Sequence, residues 1–337
     1  MERIFGFAIL SLFITSILIV PFIDFLYKIK FLRKKQKTLN LFNEPAKVFD
    51  QLSAGKVGTP VGGGLLIIVV VSILSLWAFG LFRIEVRLWE LFVLLFTFVG
   101  FGALGLYDDF KKMFSSKEKK NIFFGLRFRA KFIIQCIIAL IAGSVMYYFG
   151  GYDFIYLHWF GQFNLGLFYI PFATFVIVAF VNAFNITDGL DGLSSGVYLI
   201  CLSAFLVISS ALLDTFLAIY IAILMGSVAA FLYFNVFPAR IWLGDVGSLS
   251  LGASLAVIGL LTGKPAAVAL IGGVFVIEVA SSLVQILSRK FLGKKLLPIA
   301  PLHLYFLKKG WGEPKIVMRG WLLAFVFALF GLYLAFI

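Results

Sequence analysis

Three short segments set acidic side chains among glycines and amides at the edges of long apolar runs. Asp108 and Asp109 stand side by side in LYDDFKK, Asn185, Asp188 and Asp191 recur in NITDGLDG, and Asn235 and Asp245 follow in FNVFPARIWLGDVGS. Oxygen donors of this kind suit a hard divalent cation such as Mg2+, which takes few carboxylates from a protein and keeps water or substrate phosphate as its other ligands. Zinc is a poor match. The two histidines, His158 and His303, fall on opposite sides of the topology derived below, and both cysteines, Cys136 and Cys201, lie inside apolar runs. Lys56, Lys112 and Lys131 bring positive charge beside the same segments. GTPVGGG, at 58–64, either offers backbone N–H groups to a phosphate or begins a helix through Pro60, and the sequence favours neither. Helix capping is the competing account of single aspartates: Asp188 and Asp191 for one helix, Asp245 for another. Capping needs neither an Asp-Asp pair nor the surrounding glycines. Five carboxylates together point instead to a metal-assisted reaction on a phosphate or pyrophosphate.

What positions these residues is a membrane. Of the 337 residues 62% are hydrophobic and only 13% charged, far from the composition of a soluble globular chain. Runs of roughly 20 apolar residues are long enough to cross the hydrocarbon layer. They lack the period-two alternation of a barrel strand, so the expected fold is all-α, a polytopic bundle of about ten helices. These are placed near 4–26, 63–82, 89–107, 131–150, 165–184, 192–210, 212–234, 247–263, 265–288 and 318–337. Sorted by this scheme, 25 of the 29 Lys and Arg residues share one side, leaving Arg3, Arg83, Arg87 and Lys264 on the other. The positive-inside bias then puts the basic loops in the cytoplasm and both termini outside. It also accounts for the net charge of +13 without nucleic acid as a partner. His158 reads as an interfacial residue beside Trp159. The first apolar run lacks a small-residue cleavage signal and reads as a retained span. The whole of 1–337 is expected to be one integral membrane domain. Its site loops lie near 27–60, 107–131, 182–192, 235–248 and 289–318, all on the cytoplasmic side, which makes a membrane lipid the expected co-reactant.

At these segments the chain resembles the polyprenyl-phosphate N-acetylhexosamine-1-phosphate transferase superfamily. The resemblance runs through KVGTPVGGG, LYDDFKK, GLRFRAKF, NAFNITDGLDGLSSG, FNVFPARIWLGDVGSLSLG and PLHLYFLKKGWGEPKIVMRGW. The last segment favours the phospho-N-acetylmuramoyl-pentapeptide transferase branch. That resemblance implies transfer of phospho-MurNAc-pentapeptide from UDP-MurNAc-pentapeptide to undecaprenyl phosphate in the bacterial cytoplasmic membrane, with Mg2+, giving lipid I and UMP. It matches Asp245 to the metal-binding aspartate and Asp108, Asp109 and Lys112 to a catalytic Asp-Asp-x-x-Lys set. It places Asn185, Asp188 and Asp191 among the polar groups lining the site, and Asn235, Trp242 and Gly244 in a nucleoside pocket where Trp242 stacks on uracil. Lys56, Thr59, Lys131, Gln285 and His303 match further substrate-binding positions. Direct attack of the lipid phosphate is the favoured route, and a covalent aspartyl-phosphate is its rival.

Two departures bear on substrate. The family has three consecutive histidines where this chain reads His303, Leu304, Tyr305, and Val61 replaces a threonine after Thr59 and Pro60. The alternative within the class is a paralogue using another UDP-N-acetylhexosamine. A membrane transporter is the alternative outside it, opposed by the position of the polar residues at one surface, with only Glu278 and Gln285 in mid-span. An inactive scaffold is opposed by the intact Asp108, Asp109 and Asp245. His303 also has a bland reading as an exposed loop residue. The apolar helix faces leave room for a homodimer.

Overall fold

In hydrocarbon every backbone N–H and C=O must be paired within its own segment, so continuous apolar runs of this length fold as helices. The computed structural model describes residues 2–33, 56–81, 87–114, 126, 128–157 and 161–337, and shows twelve α-helices among them. They are α1 (Glu2–Lys28), α2 (Gly63–Leu81), α3 (Leu88–Phe114), α4 (Phe128–Gly150), α5 (Tyr169–Thr187), α6 (Leu193–Ala211), α7 (Thr215–Asn235), α8 (Gly244–Leu261), α9 (Pro265–Ile271), α10 (Gly273–Phe291), α11 (Leu302–Lys308) and α12 (Glu313–Phe336). Among the described residues nine helices are long and apolar enough to cross a membrane, and α9 with α10 makes a tenth span bent by 79°. The chain is a polytopic membrane helix bundle. One antiparallel hairpin, β1 (Phe154–Leu157) with β2 (Gly161–Asn164), was not anticipated from the sequence. Arg83, His158, Trp159 and much of the first two basic loops lie outside the described residues.

Two expectations are corrected. The ninth span, expected as one helix over 265–288, breaks at Gly272. The backbone there lies against Phe180, leaving no room for a side chain, since a Cβ on Gly272 would come within 2.5 Å of the ring. The bend turns Glu278 and Gln285 toward residues 297–303, which take up their hydrogen bonds. The third helix was expected to end at 107 but continues to Phe114. Asp108, Asp109 and Lys112 therefore ride on a helix, and Asp108 and Lys112 pair one turn apart.

α8 is the axis of the bundle, with every residue from Val246 to Leu261 buried. Its glycines and serines let α3 and α5 approach closely, the packing mode favoured where lipid removes the hydrophobic drive between helices. α1 is held on α7 by small polar contacts: Ser11 donates to the Ile223 carbonyl at 2.7 Å, and Thr15 to Ser227 at 2.9 Å. At one end of the bundle three short extended segments knit together. Leu32 pairs with Pro60, Val61 pairs with Trp242, and Gly63 N–H donates to the Trp242 carbonyl at 2.8 Å.

Candidate active site

Four elements deliver charged or amide side chains to one point. Asp108, Asp109 and Lys112 come from the end of α3, Lys131 from the first turn of α4, Asn185 from the last turn of α5, and Asp245 from the first turn of α8. An ionised group in such a setting costs several kcal/mol unless it is paired. Here Asp245 Oδ2 receives Lys131 at 2.5 Å and Lys112 at 2.8 Å, and Asp108 Oδ2 receives both lysines at 3.0 Å. The four groups close into a ring of alternating charge. Asp108 Oδ1 accepts the Leu126 N–H at 2.6 Å, and Asn185 donates to Asp245 Oδ1 at 3.2 Å and to Ser248 at 2.7 Å. Asp109 faces the start of α8, where its Oδ2 accepts the Val246 N–H at 3.1 Å.

Two glycines make this convergence possible. Gly244 has φ +73, and a Cβ on it would stand 2.6 Å from Asp109 Oδ2. Gly105, one turn before Asp109, lies so close to α8 that a Cβ would come within 2.2 Å of the Asp245 carbonyl oxygen.

Among the described residues no group of three His, Cys, Asp or Glu side chains could hold a metal by itself. Asp245 could hold a hard cation that draws its remaining ligands from phosphate and water, once its lysine partners turn to the substrate.

A second cluster forms beside the first. Lys56 reaches Asp191 Oδ1 at 2.7 Å and also bonds Glu313 Oε1, while the Asp191 N–H donates to that same oxygen at 2.6 Å. Asp191 Oδ2 accepts the Ala239 N–H at 3.0 Å. Trp242 is covered by two cations, with the Arg33 guanidinium 4.4 Å and the Lys56 ammonium 4.8 Å from the ring centroid. Thr59 supplies its carbonyl to the Arg33 N–H at 3.0 Å. Burial draws the Arg33 pKa down, opposed by the carboxylates of Asp188 and Asp191. Asp188 caps the end of α5 and accepts from Ser194 at 2.6 Å; its removal from solvent pushes its carboxyl up to about 7. Asn235 is committed to the fold, since it accepts from the Gly192 N–H and Ser195 and donates to the Ile241 carbonyl at 3.0 Å.

Two matched residues stand apart from both clusters. Gln285 pairs both ends of its amide with the backbone of Leu297, at 2.7 and 2.9 Å. His303 is buried at 2% exposure, which corrects its reading as an exposed loop residue. Its Nδ1 lies 3.0 Å from Glu278 Oε2 and its Nε2 abuts Gly189, placing it behind the 188–192 loop. An apolar cavity of about 320 Å3 opens beside this pair, with Leu193, Val274 and Phe306 in its walls.

Sequence reasoning passed over Arg33, Glu278 and Glu313. Arg33 stands in a basic run and looks like a headgroup anchor. Glu278 appears as an isolated mid-span acid, and nothing in its neighbourhood names His303. Glu313 sits in the quoted GWGEPK segment, which was its only signal.

Comparison with known proteins places the chain in a family. The family model for Glycosyl transferase family 4 matches residues 91–263, which carry the α3, α5 and α8 contributions. Phospho-N-acetylmuramoyl-pentapeptide-transferases are similar over nearly the full length. The protein of Pelagibacter ubique is 34% identical over 96% of this chain and 90% of its own. That of Geobacillus sp. is 35% identical over 99% and 98%, and that of Aquifex aeolicus 35% identical over 94% and 90%. A helical membrane bundle this close in sequence to those relatives belongs to the phospho-N-acetylmuramoyl-pentapeptide-transferases within glycosyl transferase family 4, and is a glycosyl-1-phosphate transferase of peptidoglycan synthesis.

Proposed function

We propose that the enzyme moves phospho-MurNAc-pentapeptide from UDP-MurNAc-pentapeptide to undecaprenyl phosphate, with Mg2+, at the cytoplasmic face of the bacterial inner membrane. Lipid I and UMP are the products. The observation that carries this reading is the ring formed by Asp108, Lys112, Asp245 and Lys131. Two lysines held by exchangeable ion pairs are ready to transfer to diphosphate oxygens, and the indole of Trp242 in the neighbouring cluster suits a planar base. The name shared by the relatives states the group those proteins transfer.

In this scheme an oxygen of the lipid phosphate forms a bond to the sugar-proximal phosphorus. The bond from that phosphorus to the uridylate oxygen breaks, and UMP leaves with the bonding pair. Asp108 or Asp109 positions the lipid phosphate and accepts its proton when it arrives as a monoanion. Lys112 and Lys131 balance the charge that builds on the diphosphate. Mg2+, held by Asp245 and substrate oxygens, would supply further neutralisation there. Direct attack is favoured over an aspartyl-phosphate because Asp108 and Asp109 both have oxygens engaged by N–H donors or lysines, which lowers their nucleophilicity.

Purified protein given undecaprenyl phosphate and a panel of UDP-sugars tests the reading. UDP-MurNAc-pentapeptide should be converted to a lipid-linked product, EDTA should stop the reaction, and Asp245→Asn should lower kcat by roughly a hundredfold or more. Consumption of UDP-GlcNAc with no use of the muramoyl substrate would transfer the assignment to the paralogue.

A further inference from the structure

Glu313 is the first residue of α12. A carboxylate at a helix start ordinarily faces solvent and its own free N–H groups. This one does neither. Its side chain is only 10% exposed, and Oε1 takes two bonds to other parts of the chain, from the Asp191 N–H at 2.6 Å and from the Lys56 ammonium. Both partners belong to the wall around Trp242. Lys56 carries its charge on a flexible four-carbon stem with many rotamers. Carboxylates on two sides, Asp191 and Glu313, reduce these to one that sets the ammonium 4.8 Å from the indole centroid. Asp191 in turn receives Ala239, three residues before Trp242. Two turns along α12, Trp321 donates to the Gly192 carbonyl at 3.1 Å, so the same helix grips the 191–192 turn twice.

We propose that Glu313 is a positioning residue for the nucleotide half of the site, fixing Lys56 and the Asp191 turn around a planar, uncharged base seated at Trp242. It lies outside the segment matched by the family model, 91–263. The inference rests on the nucleotide reading of the Trp242 pocket given above.

The test varies UDP-MurNAc-pentapeptide in steady-state assays of the full-length enzyme, with UMP binding followed by calorimetry. Glu313→Ala should raise the KM for the nucleotide sugar and weaken UMP about tenfold, with kcat within about threefold of wild type. Glu313→Gln keeps an acceptor for the Asp191 N–H but loses the charge facing Lys56. It should fall between the two, and it carries the test if the alanine variant does not fold. The KM for undecaprenyl phosphate should not move in either variant. Trp242→Ala separates the two layers of the argument. If it raises the nucleotide KM while both Glu313 variants leave KM and UMP binding unchanged, the role of Glu313 is overturned. A fall in kcat at constant KM overturns it as well. If Trp242→Ala itself leaves KM and UMP binding unchanged, the nucleotide reading of the pocket fails and the inference goes with it.

Discussion

At Asp245 one carboxylate oxygen holds two ammonium groups, and at Lys56 one ammonium holds two carboxylates. Such pairings offset desolvation, but they contribute to stability only while every partner is present. Asp188 has a weaker arrangement, one hydroxyl from Ser194, with Asp245 and Asp191 repelling its charge and Lys56 attracting it. Burial raises its pKa from the ordinary 3.8 to about 7, so between those values the folded protein keeps a proton that the unfolded chain gives up. The stability tied to that proton is fully present below about pH 4 and is lost as pH rises through 7. Asp188→Asn removes the dependence. Thermal unfolding of the two proteins in detergent should show the variant gaining on wild type from pH 4 to pH 8, and a gap constant with pH would exclude a raised pKa at Asp188.

Among the elements, the contact of α3 with α8 decides whether the carboxylates meet. Asp108 and Asp109 face Asp245 because Gly105 lets the helices approach to backbone contact, with a Cβ there only 2.2 Å from the Asp245 carbonyl oxygen. Gly105→Ala must separate the helices or tilt one of them, and displacements near 1 Å in a catalytic set cost about a hundredfold in rate. The variant should lose at least tenfold in kcat, read against Gly6→Ala, where a Cβ meets nothing within 4 Å. Equal activity in the two variants would show that the ring of charges does not depend on this contact. The bend between α9 and α10 acts on the other side, bringing the Glu278–His303 pair behind the 188–192 loop.

For the whole molecule, the site residues occupy one end of the bundle, and the positive-inside bias predicts that this end faces the cytoplasm. Two single cysteines in a background free of Cys136 and Cys201 report this directly. Lys295→Cys lies on the exposed stretch after α10 at the site end, and Leu213→Cys replaces a residue 87% exposed in the α6–α7 turn. A membrane-impermeant thiol reagent added to intact cells should label the Leu213 variant alone, and in inside-out vesicles the Lys295 variant alone. The reverse pattern would put the site on the outer face.

Composition and run length determined the helical membrane fold, because hydrocarbon admits few other ways of pairing a backbone. Spacing and residue type marked Asp108, Asp109, Lys112, Lys131 and Asp245, since a carboxylate or lysine at the end of an apolar run stands out against its neighbours. Tertiary structure alone decided which charges became partners. Lys131 meets Asp245 across 114 positions and Lys56 meets Glu313 across 257. Pairing at such separations depends on how whole helices pack, which is why the extension of α3, the break at Gly272 and the burial of His303 appear only in the folded bundle. Glycines at 105 and 244 are visible in the sequence as small residues, but only the packed helices show that nothing larger fits.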